Sequence, residues 1–185
     1  MAHAPQTPTI IRPAVPADAD ELEKIYYFAN LDAALKSDLS LPKMKQLVKM
    51  LDAGALGDFR DISPSFIDRS DRALFVAVTP DNTPYGMAAV MQLDEDRAEL
   101  QRVAVDPLRQ GGGTAKKLMI HCIDHVLDRW NARFLELWTR DHMQAAVGFY
   151  QKIGFVETDH SKEGTYLDLN PMHFRLTLDA RLALS

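Results

Sequence analysis

The stretch AELQRVAVDPLRQGGGTAKK, Ala98 to Lys117, decides how the rest of the chain is read. Ala98 to Val105 has the composition of a strand, Pro107 ends it, and three consecutive glycines follow. Apolar residues then recur at Ala115, Leu118, Met119, Cys122 and Val126, one face of a helix. A helix that starts inside a glycine-rich turn is an anion site. Its first N–H groups have no partner within the helix, its N-terminal end carries partial positive charge, and glycine lets phosphate oxygens reach the main chain with no Cβ in the way. Gly111, Gly112 and Gly113 form the predicted cradle, with Lys116 and Lys117 adding positive charge one turn later. Two other glycine loops are excluded. A Walker loop needs glycine directly before Lys116, and a dinucleotide fingerprint needs glycine in place of Lys116.

Working outward, Thr9 to Pro13 reads as a short first strand, and Asp18 with Glu21 has the spacing of a capping box ahead of Leu22, Ile25, Tyr26 and Ala29. Leu39 to Leu51 suggests a second helix ending near Gly54, followed by a loop through Gly57, Pro64 and Ser65. Ala73 to Val78 and Tyr85 to Leu93, separated by the turn-forming TPDNTP, read as an antiparallel hairpin. Beyond the glycine helix come a strand, Phe134 to Thr139, a helix, Gln144 to Ile153, stopped at Gly154, and strands near Phe155 and at Met172 to Leu178. Strand followed by helix, twice over, is the pattern of parallel pairing.

Composition sets the outer bounds. The 185 residues carry a net charge of −5 and no run of Lys or Arg, which argues against a phosphate-reading nucleic-acid surface and mildly favours a cationic substrate. The first residues have neither a basic nor an apolar signal region, no apolar run is long enough to span a bilayer, and the single cysteine, Cys122, allows no internal disulfide. These features suit a cytoplasmic protein with a frayed start over residues 1–8 and a single domain over residues 9–185.

Gln110-x-x-Gly113-x-Ala115 resembles the Q/R-x-x-G-x-G/A signature with which GNAT N-acetyltransferases hold the pyrophosphate of CoA. IRPAVPADADELEKIY, Ile11 to Tyr26, looks like that family's first strand and helix, and FYQKIGF, Phe149 to Phe155, like its closing motif, so the resemblance spans nearly the whole chain. It implies an α/β fold with a mixed sheet of six to seven strands flanked by about four helices. It also implies acetyl-CoA as co-substrate, no metal, and acetyl transfer to a primary amine by direct attack in a ternary complex. A small-molecule or peptide amine is then the expected partner, with neither nucleic acid nor membrane, and a homodimer stays open. A non-catalytic acyl-CoA-binding or regulatory domain of the same fold is the alternative.

The chemistry asks for three groups. An alkyl ammonium, with a pKa of about 10.4, must lose a proton before it attacks a thioester. Glu99 stands where some GNAT enzymes carry a catalytic glutamate, on the face that strand alternation shares with Gln101 and Val103. The alternative for Glu99 is an exposed or salt-bridged strand glutamate, with Arg97 or Arg102 nearby. Developing charge on the carbonyl calls for a free N–H where two strands splay, the position that Val103 matches, with pantetheine running along Val103, Ala104 and Val105. The departing thiolate needs a donor, the role Tyr150 matches, while Gln110, Thr114, Ala115, Lys116 and Lys152 complete the cofactor set implied by the resemblance. One departure stands out. Met143 stands in place of the asparagine that often bonds pantetheine seven residues before the tyrosine, so that hydrogen bond is either missing or supplied by Arg140 or His142.

Other residues have plainer readings. His121 and His125 lie four apart on a helix without the glutamate of a zinc motif, and Cys122 falls on the apolar face, as a core thiol would. Trp130 and Trp138 read as core or pocket border, and Asp58, Asp61, Asp68 and Asp71 as a charged loop surface. Acceptor choice is expected to lie in residues 30–70 and 157–166.

Overall fold

The structure is a computed structural model that describes residues 9–52, 57–158 and 171–178. Its described elements run β1 (Ile10–Pro13), α1 (Ala19–Leu35), α2 (Leu41–Asp52), α3 (Gly57–Arg60), β2 (Arg72–Val78), β3 (Pro84–Gln92), β4 (Arg97–Val105), α4 (Thr114–His125), β5 (Phe134–Arg140), α5 (Gln144–Ile153), β6 (Val156–Thr158) and β7 (Pro171–Thr177). The seven strands form one sheet in the order β1-β2-β3-β4-β5-β7-β6. Only β4 and β5 pair in parallel; every other neighbouring pair is antiparallel.

Both faces of the sheet are covered, which is why β2 reads as an unbroken apolar run rather than an alternating one. Phe75 and Ala77 face α4 and α5, where they join Leu118, Met119, Cys122, Val147 and Ile153 in one core. Leu74, Val76 and Val78 face the other way and join Leu22 and Ile25 of α1, Leu47 and Leu51 of α2, and Phe59, Ile62 and Phe66 in a second core. The sheet is the wall between the two.

Four sequence expectations change. Asp18 does not cap α1: its backbone is already helical, and its carboxylate accepts from the Val15 N–H (2.8 Å) and from both terminal nitrogens of Arg12 (2.8 and 2.9 Å). The expected loop through Gly57, Pro64 and Ser65 is largely helical instead. It comprises α3 and a π-helical turn at Ser63–Ile67, because Phe59, Ile62 and Phe66 recur on one buried face and Pro64 sits in a first turn, where proline is tolerated. The second strand–helix repeat does not make a second parallel pair. β6 runs parallel to β5, but β7 inserts between them and pairs antiparallel with both. The fourth change is the face that Glu99 shares, described with the site. The expected end of α2 near Gly54 and the stretch 159–166 lie outside the described residues.

Candidate active site

β4 carries the site because it changes partners halfway along. Its pairing with β5 runs from Arg97↔Phe134 to Leu100↔Leu137 and stops, so from residue 101 onward the β5-facing backbone groups have no strand beside them. On the other edge the register with β3 jumps: Gln101 faces Ala89 and Ala104 faces Met87, which leaves Arg102 and Val103 together opposite Ala88. This is a β-bulge, one extra residue that bends and twists the strand. Arg102 adopts φ 54, an αL conformation that costs an L-residue other than glycine on the order of 1 kcal/mol.

The bulge also reverses the alternation of side chains. Before it, Ala98 and Leu100 enter the α4–α5 core, and Glu99 and Gln101 face the α1–α3 side, opposite Met91 and Ala89. After it, Val105 lies in the α4–α5 core with Val103 packed against it, and Ala104 lies in the other core. Glu99 and Val103 therefore lie on opposite faces, contrary to the simple alternation read from sequence.

Below the open edge lies a cavity of about 910 Å³. One wall is the end of β4, Val103 to Val105; the floor is the glycine loop with the start of α4; the far wall is the β5–α5 junction, from Asp141 to Tyr150. The remaining wall comes from the end of α1 and the start of α2, with Asp32, Lys36, Asp38 and Lys43 among its residues. The loop has the geometry an anion needs. Gly111 and Gly113 take φ 86 and 76, Gly113 stands at the N-cap position of α4, and a Cβ added to either would meet no atom within 4 Å. That open space over unpaired N–H groups fits a pyrophosphate. Asp106 starts the loop by accepting from Leu108 N–H at 3.0 Å, and the Gln110 side-chain amide donates to the Val105 carbonyl at 3.2 Å, tying the loop to the end of β4.

Of the cofactor residues expected from sequence, Val103, Ala104, Val105, Gln110, Gly111, Gly113, Thr114, Ala115, Lys116 and Tyr150 all line the cavity. Gly112 and the exposed Lys152 do not. Tyr150 is buried against the rings of Phe149 and Phe155, and burial, with the nearby Tyr26, raises its pKa above the ordinary 10. Its phenol stays protonated through the neutral range and so keeps a proton to donate. Glu99 is half-buried outside the cavity lining, accepts from the Gln101 amide at 2.7 Å, and pairs with neither arginine expected near it. Arg97 goes to Asp94 and Arg102 to Asp58.

At the asparagine position, Met143 turns its sulfur to the Thr139 hydroxyl at 3.8 Å. The adjacent His142 lines the cavity, and its buried Nδ1 has no hydrogen-bond partner among the described residues. Burial and Arg140 lower its pKa below the ordinary 6.5, so the ring is neutral near pH 7. Cys122 is fully buried and its thiol is pushed up by desolvation, which suits a packed side chain rather than a nucleophile. His121 and His125 pack edge-on against Phe75.

Sequence reading missed a second polar cluster. Glu136, next to Glu99 in the β4–β5 register, is buried, accepts from Arg175 at 2.6 and 2.9 Å, and lies 3.6 Å from Nε2 of the buried His173. A charged residue midway along an otherwise apolar strand, FLELW, was the only local sign of it. Among the described residues no helix is long and apolar enough to cross a membrane.

The sequence model of the acetyltransferase (GNAT) family matches residues 44–155. A search of curated proteins gave no match. Among solved structures, a GNAT-family acetyltransferase from Staphylococcus aureus MU50 is similar with a TM-score of 0.70 at 18% identity, covering 93% of this chain and 100% of that one. The PaiA N-acetyltransferase of Thermoplasma acidophilum, in complex with coenzyme A, gives 0.71 at 16% over 92% of this chain and 99% of that one. Spermidine N-acetyltransferase of Vibrio cholerae, in complex with CoA and spermine, gives 0.65 at 17% over 91% and 95%.

Proposed function

The chain belongs to the GNAT acetyltransferase family, and from that premise we propose that it transfers the acetyl group of acetyl-CoA to a primary amine by direct attack in a ternary complex. The observation that carries this reading is the cavity itself, where a glycine-built anion cradle, an unpaired strand edge and a buried phenol converge within one chamber. The cradle suits the pyrophosphate of CoA, and the family's solved structures with CoA support that choice of ligand.

Gly111 and the stretch Gly113 to Lys116 hold the diphosphate through backbone N–H groups and the start of α4. The β5-facing backbone of Val103 to Val105 takes the pantetheine amides as a missing strand would, and the N–H of Val103 steadies the carbonyl oxygen as charge builds on it. Bound acetyl-CoA supplies the activated acyl group. Tyr150 donates to the departing sulfur, its raised pKa keeping the proton in place until then. Glu99, on the opposite face of β4, draws the ammonium proton through water across the gap that opens beyond Leu100 and Leu137. The acidic cast of the chain, together with Asp32 and Asp38 on the α1–α2 wall, favours a cationic acceptor, as does the polyamine bound in the Vibrio cholerae neighbour.

The test is a panel of primary amines, polyamines included, assayed for release of the CoA thiol by wild type, Glu99→Gln and Tyr150→Phe. Turnover with at least one amine, lowered in both variants, is expected. Acetyl-CoA binding without turnover on any amine would leave a CoA-responsive domain in its place.

A further inference from the structure

Arg102 is the non-glycine residue whose αL backbone has no local excuse. The other described non-glycine residues with positive φ are Asn82 and Asn131, an amino acid that tolerates this conformation; Asn82 closes the turn between β2 and β3, and Asn131 caps the end of the helical segment that follows α4. Arg102 sits inside a strand, at the bulge, and its side chain turns away from the cavity toward the opposite face. There Nε donates to Asp58 Oδ2 at 2.8 Å and Nη1 to the Tyr26 hydroxyl at 3.2 Å. The guanidinium also lies over the rings of Tyr26 and Phe59, at 5.2 and 5.8 Å from their centroids. Three separate elements, β4, α1 and α3, thus meet on one cation that is only 27% exposed.

Resting on the acetyl-transfer reading, we propose that Arg102 is a positioning residue: its clasp by Asp58, Tyr26 and Phe59 holds the β4 bulge and so aligns the Val103–Val105 main chain along the cavity. An αL arginine in a strand persists only where its surroundings over-determine it, and here the clasp supplies that constraint. Release of the clasp lets residue 102 return to extended backbone. The bulge then shifts or dissolves, the side chains beyond it change face, and the edge offered to the acyl-pantetheine moves. Since reacting groups tolerate little misplacement, the acyl-transfer rate should suffer more than cofactor affinity, most of which comes from the glycine loop.

The experiment combines steady-state kinetics with hydrogen–deuterium exchange on Arg102→Leu, Arg102→Gly and Asp58→Asn. In Arg102→Leu, kcat is expected to fall roughly ten- to a hundredfold with the KM for acetyl-CoA little changed, since a displacement of about 1 Å suffices for such a loss. Exchange should rise over residues 101–105 and stay put over β2. Arg102→Gly restores a residue at home at positive φ and should recover much of the lost kcat; Asp58→Asn should move both readouts in the same direction as Arg102→Leu, by less. Should Arg102→Leu fail to fold, Asp58→Asn carries the test by itself. Unchanged exchange at residues 101–105 in the folded variants, or a glycine variant as impaired as the leucine one, overturns the proposal. Absence of turnover in wild type would instead strike the acetyl-transfer reading, and the exchange arm would still decide the role of Arg102.

Discussion

The glycine loop and the β4 bulge stand at opposite ends of Val103–Val105, and they are built by different means. The loop is made of consecutive residues: Gly111 and Gly113 adopt positive φ because glycine does so without strain, and the cradle follows from local backbone alone. The bulge adopts positive φ at an arginine, which local sequence opposes, and is held by Asp58, forty-four positions upstream, and Tyr26, seventy-six. One end of the site is local and self-sufficient; the other is assembled from three elements. On the proposed reading the loop sets affinity, whereas the bulge sets alignment.

That division can be broken at several points. The largest expected effect is on the chemical step: Tyr150→Phe keeps the ring packed against Phe149 and Phe155 but removes the donor. It should lower kcat by about a hundredfold, the low end for a general acid, with the KM for acetyl-CoA within a few-fold of wild type. A matching loss in acetyl-CoA affinity would show that the hydroxyl serves binding instead. Next is Glu99→Gln, which stays isosteric beside Gln101 and should cost roughly tenfold in kcat/KM for the amine, because a base acting through water contributes less than one in direct contact. An unaltered amine kcat/KM would move the base elsewhere.

The smallest effect on turnover belongs to a control pair far from the cavity, Arg12 and Asp18. Burial raises the Asp18 pKa, but the hydrogen bonds from Arg12 and the Val15 N–H more than offset it, and the carboxyl titrates below the ordinary 3.8. A depressed carboxylate pKa contributes stability above its unfolded value and loses it as pH falls through the folded one. Asp18→Asn should therefore lower stability by about 2 kcal/mol near neutral pH. By chemical denaturation at a series of pH values, the gap to wild type should hold down to about pH 5 and close below about pH 4. Turnover per folded molecule should not change; a drop would mean that ion pairs anywhere on this sheet tune the site.

How much was legible in the sequence follows the same division. The strands, the four longer helices and the glycine loop are readable because each is written in neighbouring residues: the run at Ala73–Val78, the periodicity from Leu118 to Val126, and the spacing Gln110-x-x-Gly113. The bulge was not, since QRVA carries no glycine or proline to mark it, and the miss put Glu99 and Val103 on one face when they occupy two. Likewise Asp58, read as loop surface, is the partner of Arg102, and the insertion of β7 between β5 and β6 depends on a long-range pairing that no local pattern encodes. Pro64 reads as part of a loop because its place in a first turn becomes visible only once Phe59, Ile62 and Phe66 are seen to share a core.

The central claim, that the glycine-floored cavity at the opening of β4 and β5 is the acetyl-CoA site, is tested most directly by calorimetric titration of acetyl-CoA into wild type and Gly113→Val. Valine at φ 76 is strained and places a branched side chain over the cradle. One-to-one binding by wild type, weakened about tenfold or more in a variant that stays folded at the titration temperature, is the predicted result, since losing even one or two charge-assisted N–H bonds to the phosphates costs more than about 1.4 kcal/mol. Equal affinity in the two proteins, or no binding by wild type, would contradict it.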